Sequence, residues 1–363
     1  MKDPADQPER PIKFSPDDIL PPVEPPNLAF IRQLVLIPLL IVSLIVCGWL
    51  FFTWLASGSA DPDKMLHEIS RYSDSGWQSA SNLAQMLSRP DAQYAEMRRD
   101  PAFAKKLAEI LEEKSQEEFT SSTSDMQRLK LCFFLCRALG SLETAEALPP
   151  LLDAAERERS PQEVALRLGA LEGLTVLASQ LGPESIQQND RAIDVLLECS
   201  RASDDGSTPT DNAPPDFKPR SEIRVTAAFA LGVVGGERAN DRLAIMLDDP
   251  YASARYNAAT GLARQGDARA VPVLLEMLDP GNELAAFTER AQETHEDGRV
   301  RVVKNGIEAA AQLIKKSPSA DLPSLHKALQ RVADEGCPNI KSPGARSALQ
   351  MQAKEALSRM TKG

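Results

Sequence analysis

The sequence predicts an all-α protein, in which one transmembrane helix precedes an α-solenoid of repeated helix pairs. Three observations carry this reading. Hydrophobic residues are 42% of the 363, yet aromatics are only 5%, so alanine and leucine supply the apolar content, which favours helix over sheet. Residues 34–56 form a long uncharged apolar run. Two neighbouring stretches, 221–248 and 252–279, repeat one another at a spacing of 31 residues.

The chain opens with a leader, residues 1–31, that carries eight prolines before Asn27. Pro21-Pro22 and Pro25-Pro26 break any helix, so the leader is expected to be extended and disordered. The transmembrane helix is assigned to 32–57. No charged residue occurs between Gln33 and Ala60, and the 23 residues from Leu34 to Ala56 would reach roughly 35 Å as a helix, against a bilayer core of about 30 Å. Arg32 and Trp54 flank the span as interfacial residues, and Pro38 falls near its start. A cleaved signal is the rival reading, but the apolar run exceeds the usual signal length and its leader is long and acid-rich. Lys2, Arg10, Lys13 and Arg32 outnumber Lys64 and Arg71 beyond the span. That asymmetry favours a cytoplasmic N-terminus and an exported C-terminal domain.

The remainder is read as helices and turns. Asp61-Pro62, Asp100-Pro101, Asp249-Pro250 and Asp279-Pro280 each offer a capping carboxylate followed by proline at a first helical position. Gly140, Gly182, Gly235-Gly236 and Gly266 follow apolar-periodic runs and are read as helix stops. Within the repeat, Arg224 meets Arg255, Ala227-Ala228 meets Ala258-Ala259, and Gly235 meets Gly266. Arg238 then meets Arg269, and Met246-Leu247-Asp248 meets Met277-Leu278-Asp279; in all, 11 of 28 positions are identical without a gap. Each unit is therefore two helices about a glycine turn. One such pair cannot cover its own apolar stripe, and stacking pairs does, so the period implies a solenoid.

On these residues the two units resemble HEAT repeats, in particular the short bacterial type grouped with phycobilisome-lyase-like repeats. The matching pieces are Ile223-Arg224, Ala227-Ala228 and Ala230-Leu231-Gly232, and the run from Gly266 to Leu275. Divergent copies flank them, around Ala138–Leu152, over 161–199 and over 300–334, with a final helix at 344–361. The expected organisation is an atypical helical capping region at 58–123 and the solenoid at 124–363. Polar insertions are expected at 203–220 and 280–299.

No catalytic constellation is visible. The five cysteines include no CxxC pair and are read as small core hydrophobes, and the three histidines, His67, His295 and His326, stand apart. No phosphate-cradling glycine loop occurs. Two enzymatic alternatives come from the resemblance alone: a bilin lyase, or a di-iron hydroxylase using His-Glu pairs such as His67-Glu68 and His295-Glu296. No cofactor or metal is expected. A net charge of −11 argues against nucleic acid. The expected function is a membrane-anchored scaffold whose concave face, made by the second helices, binds a protein or peptide partner associated with the membrane. Arg238, Asp241, Arg242, Arg269 and Glu276 are expected to face away from the stacking seam and to carry that contact.

Overall fold

The computed structural model describes residues 28–56, 62–70, 76–201, 219–282, 294–317 and 322–360. It divides into two units, Met1–Ala60 and Asp61–Gly363. Among the described residues, secondary structure is helical throughout, with no strand.

The first unit contains α1 (Leu28–Ala56), 29 residues long. Its described apolar side chains between Leu34 and Phe51 are exposed, Leu44 and Ile45 at 65% among them. Arg32 is exposed as well, and the side chain of Trp54 lies outside the described residues. Two expectations are corrected here. The helix starts at Leu28, because nothing after Pro25-Pro26 interrupts it, so the leader reading shrinks to residues 1–27, which lie outside the described residues. Pro38 consequently sits inside the helix, where it removes one backbone hydrogen bond. Among the described residues, the segment long and apolar enough to cross a membrane is Pro161–Leu181, and Leu36–Phe51 is a shorter apolar stretch. Packing gives Pro161–Leu181 a different role: 56% of it is buried, and its Arg167 donates to Ala155 O at 3.0 Å and pairs with Glu158 at 3.0 Å.

The second unit is a two-layered helical array. It opens with α2 (Pro62–Ser70), α3 (Gly76–Leu87), α4 (Ala95–Arg99) and α5 (Pro101–Ser115). The hairpins follow: α6 (Thr123–Gly140) with α7 (Leu148–Glu156), then α8 (Val164–Leu181), the short α9 (Pro183–Gln187) and α10 (Asp190–Cys199). Next are α11 (Pro219–Val234) with α12 (Glu237–Met246), α13 (Ala252–Gln265) with α14 (Val271–Met277), and α15 (His295–Lys316) with α16 (Pro323–Glu335). The last is α17 (Pro343–Met360). In the first layer, α3, α6, α8, α11, α13, α15 and α17 pack each against the next. In the second, α5, α7, α10 and α12 run in succession, and α14 packs on α16.

The local chemistry explains most boundaries. Asp100 caps α5 by accepting from Ala102 N at 2.8 Å, with Pro101 at the first helical position. Gly182, Gly235 and Gly266 adopt positive φ (90°, 68° and 84°) at the predicted stops. Gly140 is likewise a stop, the last residue of α6, but without positive φ, and its Cα side is pressed against the backbone of Gly173. Asp249 and Asp279 turn the chain without starting a helix, accepting from Tyr251 N at 2.9 Å and Gly281 N at 3.2 Å. Both predicted insertions end earlier than expected. Pro219 and Arg220 already belong to α11, and 295–299 to α15, whose start is fixed by a reciprocal cap between Thr294 and Asp297. Residues 203–218 and 283–293 of those insertions lie outside the described residues.

Glycines and alanines set how closely the first layer stacks. A Cβ placed on Gly232 would lie 2.6 Å from Gly261 Cα, and one on Gly173 would lie 2.6 Å from the Cys136 carbonyl oxygen. These helices meet backbone to backbone. A second device recurs on α6, α8, α11 and α13: an arginine turned inward, Arg128, Arg167, Arg224 and Arg255. Arg128 donates to the carbonyls of Lys114, Glu117 and Glu118 at 2.9–3.1 Å. Arg224 pairs with Asp249 at 2.8 Å, and Arg255 donates to Asp249 O at 2.7 Å. Each guanidinium ties a helix to a loop that leaves backbone carbonyls without helical partners.

Carboxylates beside these arginines give the array a pH dependence. The Thr120 hydroxyl and N–H, followed by Arg128, hold the Asp125 carboxyl far below the ordinary value. Arg98 and Arg99 lower Glu143. Burial pushes the fully buried Glu163 up, but bonds from the Arg159 side chain and from the N–H groups of Arg159 and Ser160 outweigh it, and the net shift is downward. Carboxylates depressed in the folded state stabilise fully above their unfolded pKa, about 4, and lose that contribution as pH falls through the folded values. The urea midpoint is therefore expected to hold between pH 7 and 5 and to fall below about pH 4, read by circular dichroism. A midpoint that rises on acidification would contradict these pairings.

Four of the five cysteines are thiols in the core; Cys47, on α1, is exposed, which corrects the core reading for that residue. Cys132, Cys136, Cys199 and Cys337 are buried, and burial pushes Cys132 up to about 12 and Cys136 upward as well. These four are expected to resist a thiol-reactive dye in the native chain and to react upon unfolding. Rapid native labelling of Cys132 or Cys136, located by mass spectrometry, would contradict this placement.

Candidate functional site

The residues expected to carry a partner contact lie on the second layer, and the structure gives them other work. Arg238 on α12 reaches back to α10, 2.5 Å from Asp194 and 3.8 Å from Asp190. Arg269, just before α14, lies 3.3 Å from Asp241 on α12 and 2.6 Å from Asp267. Arg191 on α10 makes the equivalent reach to Asp153 (2.5 Å) and Glu156 (2.6 Å) on α7. These are rungs of an ion-pair ladder between successive repeats. Most of the groups are about half exposed, so each rung contributes at most about 1 kcal/mol.

Arg242 and Glu276 correct the expectation outright, since neither faces away from the seam. Arg242 donates to Ser200 Oγ and Ser200 O, both at 2.7 Å, pinning the end of α10. Glu276 accepts from Arg255 at 2.8 Å and from the Tyr256 hydroxyl at 2.9 Å. Their polar ends serve the stack because each lies within reach of an otherwise unsatisfied loop or helix end.

An opening of about 260 Å³ lies between α5 and α7 of the second layer. On the first layer, a groove of about 230 Å³ runs over α3, α6, α8 and α11. Val176 and Phe229 line it and are 40% and 42% exposed. Arg137 and Glu172 lie on it 3.9 Å apart. Beyond the lining, Arg264 of α13 stands over the Phe229 ring, 5.9 Å from its centroid. Arg264 Nη1 is buried and has no hydrogen-bond partner among the described residues. Burial lowers the Arg264 pKa, with Glu308 of α15 opposing it. Further along the same layer Trp77 stacks on Phe134 (6.2 Å), which meets Phe133 edge-on (5.4 Å). Sequence reasoning missed this face. A signal existed: Phe229 is a lone aromatic among Ala227, Ala228 and Ala230, in the register where the next repeat has Thr260.

The His-Glu pairs are not brought together into a shared centre. Glu68 accepts from Ser79 Oγ at 3.5 Å, and Glu296 accepts from Ser342 N at 2.7 Å. Among the described residues, no three His, Cys, Asp or Glu side chains converge as metal ligands.

The fold defines a helical-repeat protein. Within it, residues 218–292, which hold α11 to α14, match the family model for HEAT repeats. Comparison with curated proteins finds no match. Among solved structures, an engineered protein aligns at 13% identity with a TM-score of 0.34, covering 83% of this chain and 97% of its own. Human deoxyhypusine hydroxylase in complex with glycerol aligns at 21% identity with a TM-score of 0.26, covering 79% and 97%. Overlaps this loose carry no inference about activity.

Proposed function

We propose that the chain is a single-pass membrane-anchored scaffold, not a catalyst, whose HEAT-repeat body holds a membrane-associated protein partner. The anchor is α1, with its body on the exported side and Arg32 at the cytoplasmic boundary. The observation that carries the reading is the first-layer groove, lined by the partly exposed Val176 and Phe229, beside a second layer on which Arg191, Arg238 and Arg269 pair between repeats. The second layer also keeps an opening between α5 and α7 and an exposed Ile245 on α12. With those three arginines engaged, the proposed contact moves from the second helices to the first.

The test uses the full chain in its native membrane. The protein is expected to stay in the pellet after a carbonate wash and to leave it with detergent, and deletion of residues 28–56 should release it. Trypsin added outside sealed right-side-out vesicles should cut the body. Recovery of the intact chain in the carbonate supernatant would remove the anchor, and protection from external trypsin would reverse the orientation.

A further inference from the structure

We propose that copies of the chain associate head to tail, the basic end of one array docking on the acidic opening between α5 and α7 of the next. This goes beyond the scaffold reading and does not depend on the first-layer groove. Charge is divided along the body. Residues 61–294 hold 25 Lys and Arg against 39 Asp and Glu, whereas residues 295–363 hold 12 against 7. The sign therefore reverses at α15, and α17, the last helix, packs on both α15 and α16. Lys304, Lys327 and Lys354, one on each of these helices, are exposed, and no acid pairs with them among the described residues.

The complementary half is the opening of about 260 Å³. Most charges that line it are engaged within the chain. Arg157 donates to Ser115 O, Lys105 interacts with Glu146 across space, and Asp153 pairs with Arg191. Glu109 and Glu112 of α5 are left over, exposed and without a partner among the described residues. Leu111, Pro149, Pro150 and Ala154 supply apolar lining beside them. A lysine suits this combination, because its stem covers hydrocarbon while its ammonium reaches the carboxylates. Every copy thus carries both halves of one contact. The halves are different patches, so the contact is heterologous and continues from copy to copy, unlike a two-fold dimer that closes on itself.

The experiment uses the full-length chain in detergent micelles. Sedimentation is expected to show association at about 50 mM salt, with a dissociation constant that rises about tenfold or more by about 500 mM, since salt screens exposed charge pairs. A carbodiimide, which joins lysine directly to carboxylate, is applied to mixed isotopically light and heavy chains. It should link Lys304, Lys327 or Lys354 of one copy to Glu109 or Glu112 of another. One variant carries Glu109→Lys and Glu112→Lys; a second carries Lys304→Glu, Lys327→Glu and Lys354→Glu. Each alone should associate about tenfold more weakly. Mixed, the two should associate again, because each basic patch then meets an acidic one, a rescue that misfolding would not permit. Monomers at low salt, cross-links confined to single chains, or association indifferent to both reversals would overturn the proposal, and the first-layer groove reading would stand unaffected.

Discussion

Gly173→Val is expected to destabilise the array more than any surface change. A Cβ at this position would lie 2.6 Å from the Cys136 carbonyl oxygen and 2.9 Å from Leu151 Cδ2, and Gly140 is packed against the same backbone. Overpacked cores usually lose about 1–3 kcal/mol, when side chains can shift to relieve the strain. Here the obstacle is main chain on α6, so relief requires α6 and α8 to separate. A loss of about 3 kcal/mol or more is expected, at the top of that range. Gly281→Ala is the control, since the nearest atom to its Cβ is an Asp279 carboxylate oxygen at 3.7 Å. Repeat arrays can melt in parts, so urea denaturation is paired with hydrogen exchange over 123–181. A Gly173→Val chain that unfolds together with the control would show that the stack tolerates wider spacing than the structure implies.

Asp249→Ala is the second large effect. The Arg224 and Asp249 side chains are only 6% and 9% exposed, with Nε and Oδ2 2.8 Å apart. Asp249 also accepts from Tyr251 N, while its carbonyl receives Arg255. Removing one member of a buried pair takes from the other charge its close counter-ion, at a cost of up to about 3–5 kcal/mol. The double variant Arg224→Met, Asp249→Leu removes both charges and should recover most of that loss. If the single variant costs no more than the double, Asp249 is a turn residue and the ion pair contributes little.

How far the molecule was legible follows from which interactions leave a periodic trace. The units at 221–248 and 252–279 were readable because stacking imposes small residues, glycine stops and a leucine stripe at one spacing, and α11 to α14 occupy them. Gly140 was readable as the end of α6, but its close approach to the backbone of Gly173 was not, because a glycine that ends a helix and one that also admits a neighbour look alike in sequence. The start of α15 was hidden by polar composition, although Thr294 and Asp297 have the spacing of a cap. The predicted contact residues were chosen for charge and exposure, and those properties equally suit rungs between repeats. Partner choice depends on which acid each arginine reaches, and that is a three-dimensional fact. Phe229 and Arg264 lie 35 positions apart in sequence and become neighbours only when α11 and α13 stack.

The two layers are also fastened by forces of different character. The first is held by main chain touching main chain at glycines, a contact indifferent to dissolved ions. The second is laced by half-exposed ion pairs, which salt weakens across a screening length of roughly 8 Å at 0.15 M. Added electrolyte thus slackens one edge of the array while the other keeps its spacing. Raising salt is therefore expected to increase hydrogen exchange on the second-layer helices more than on the first.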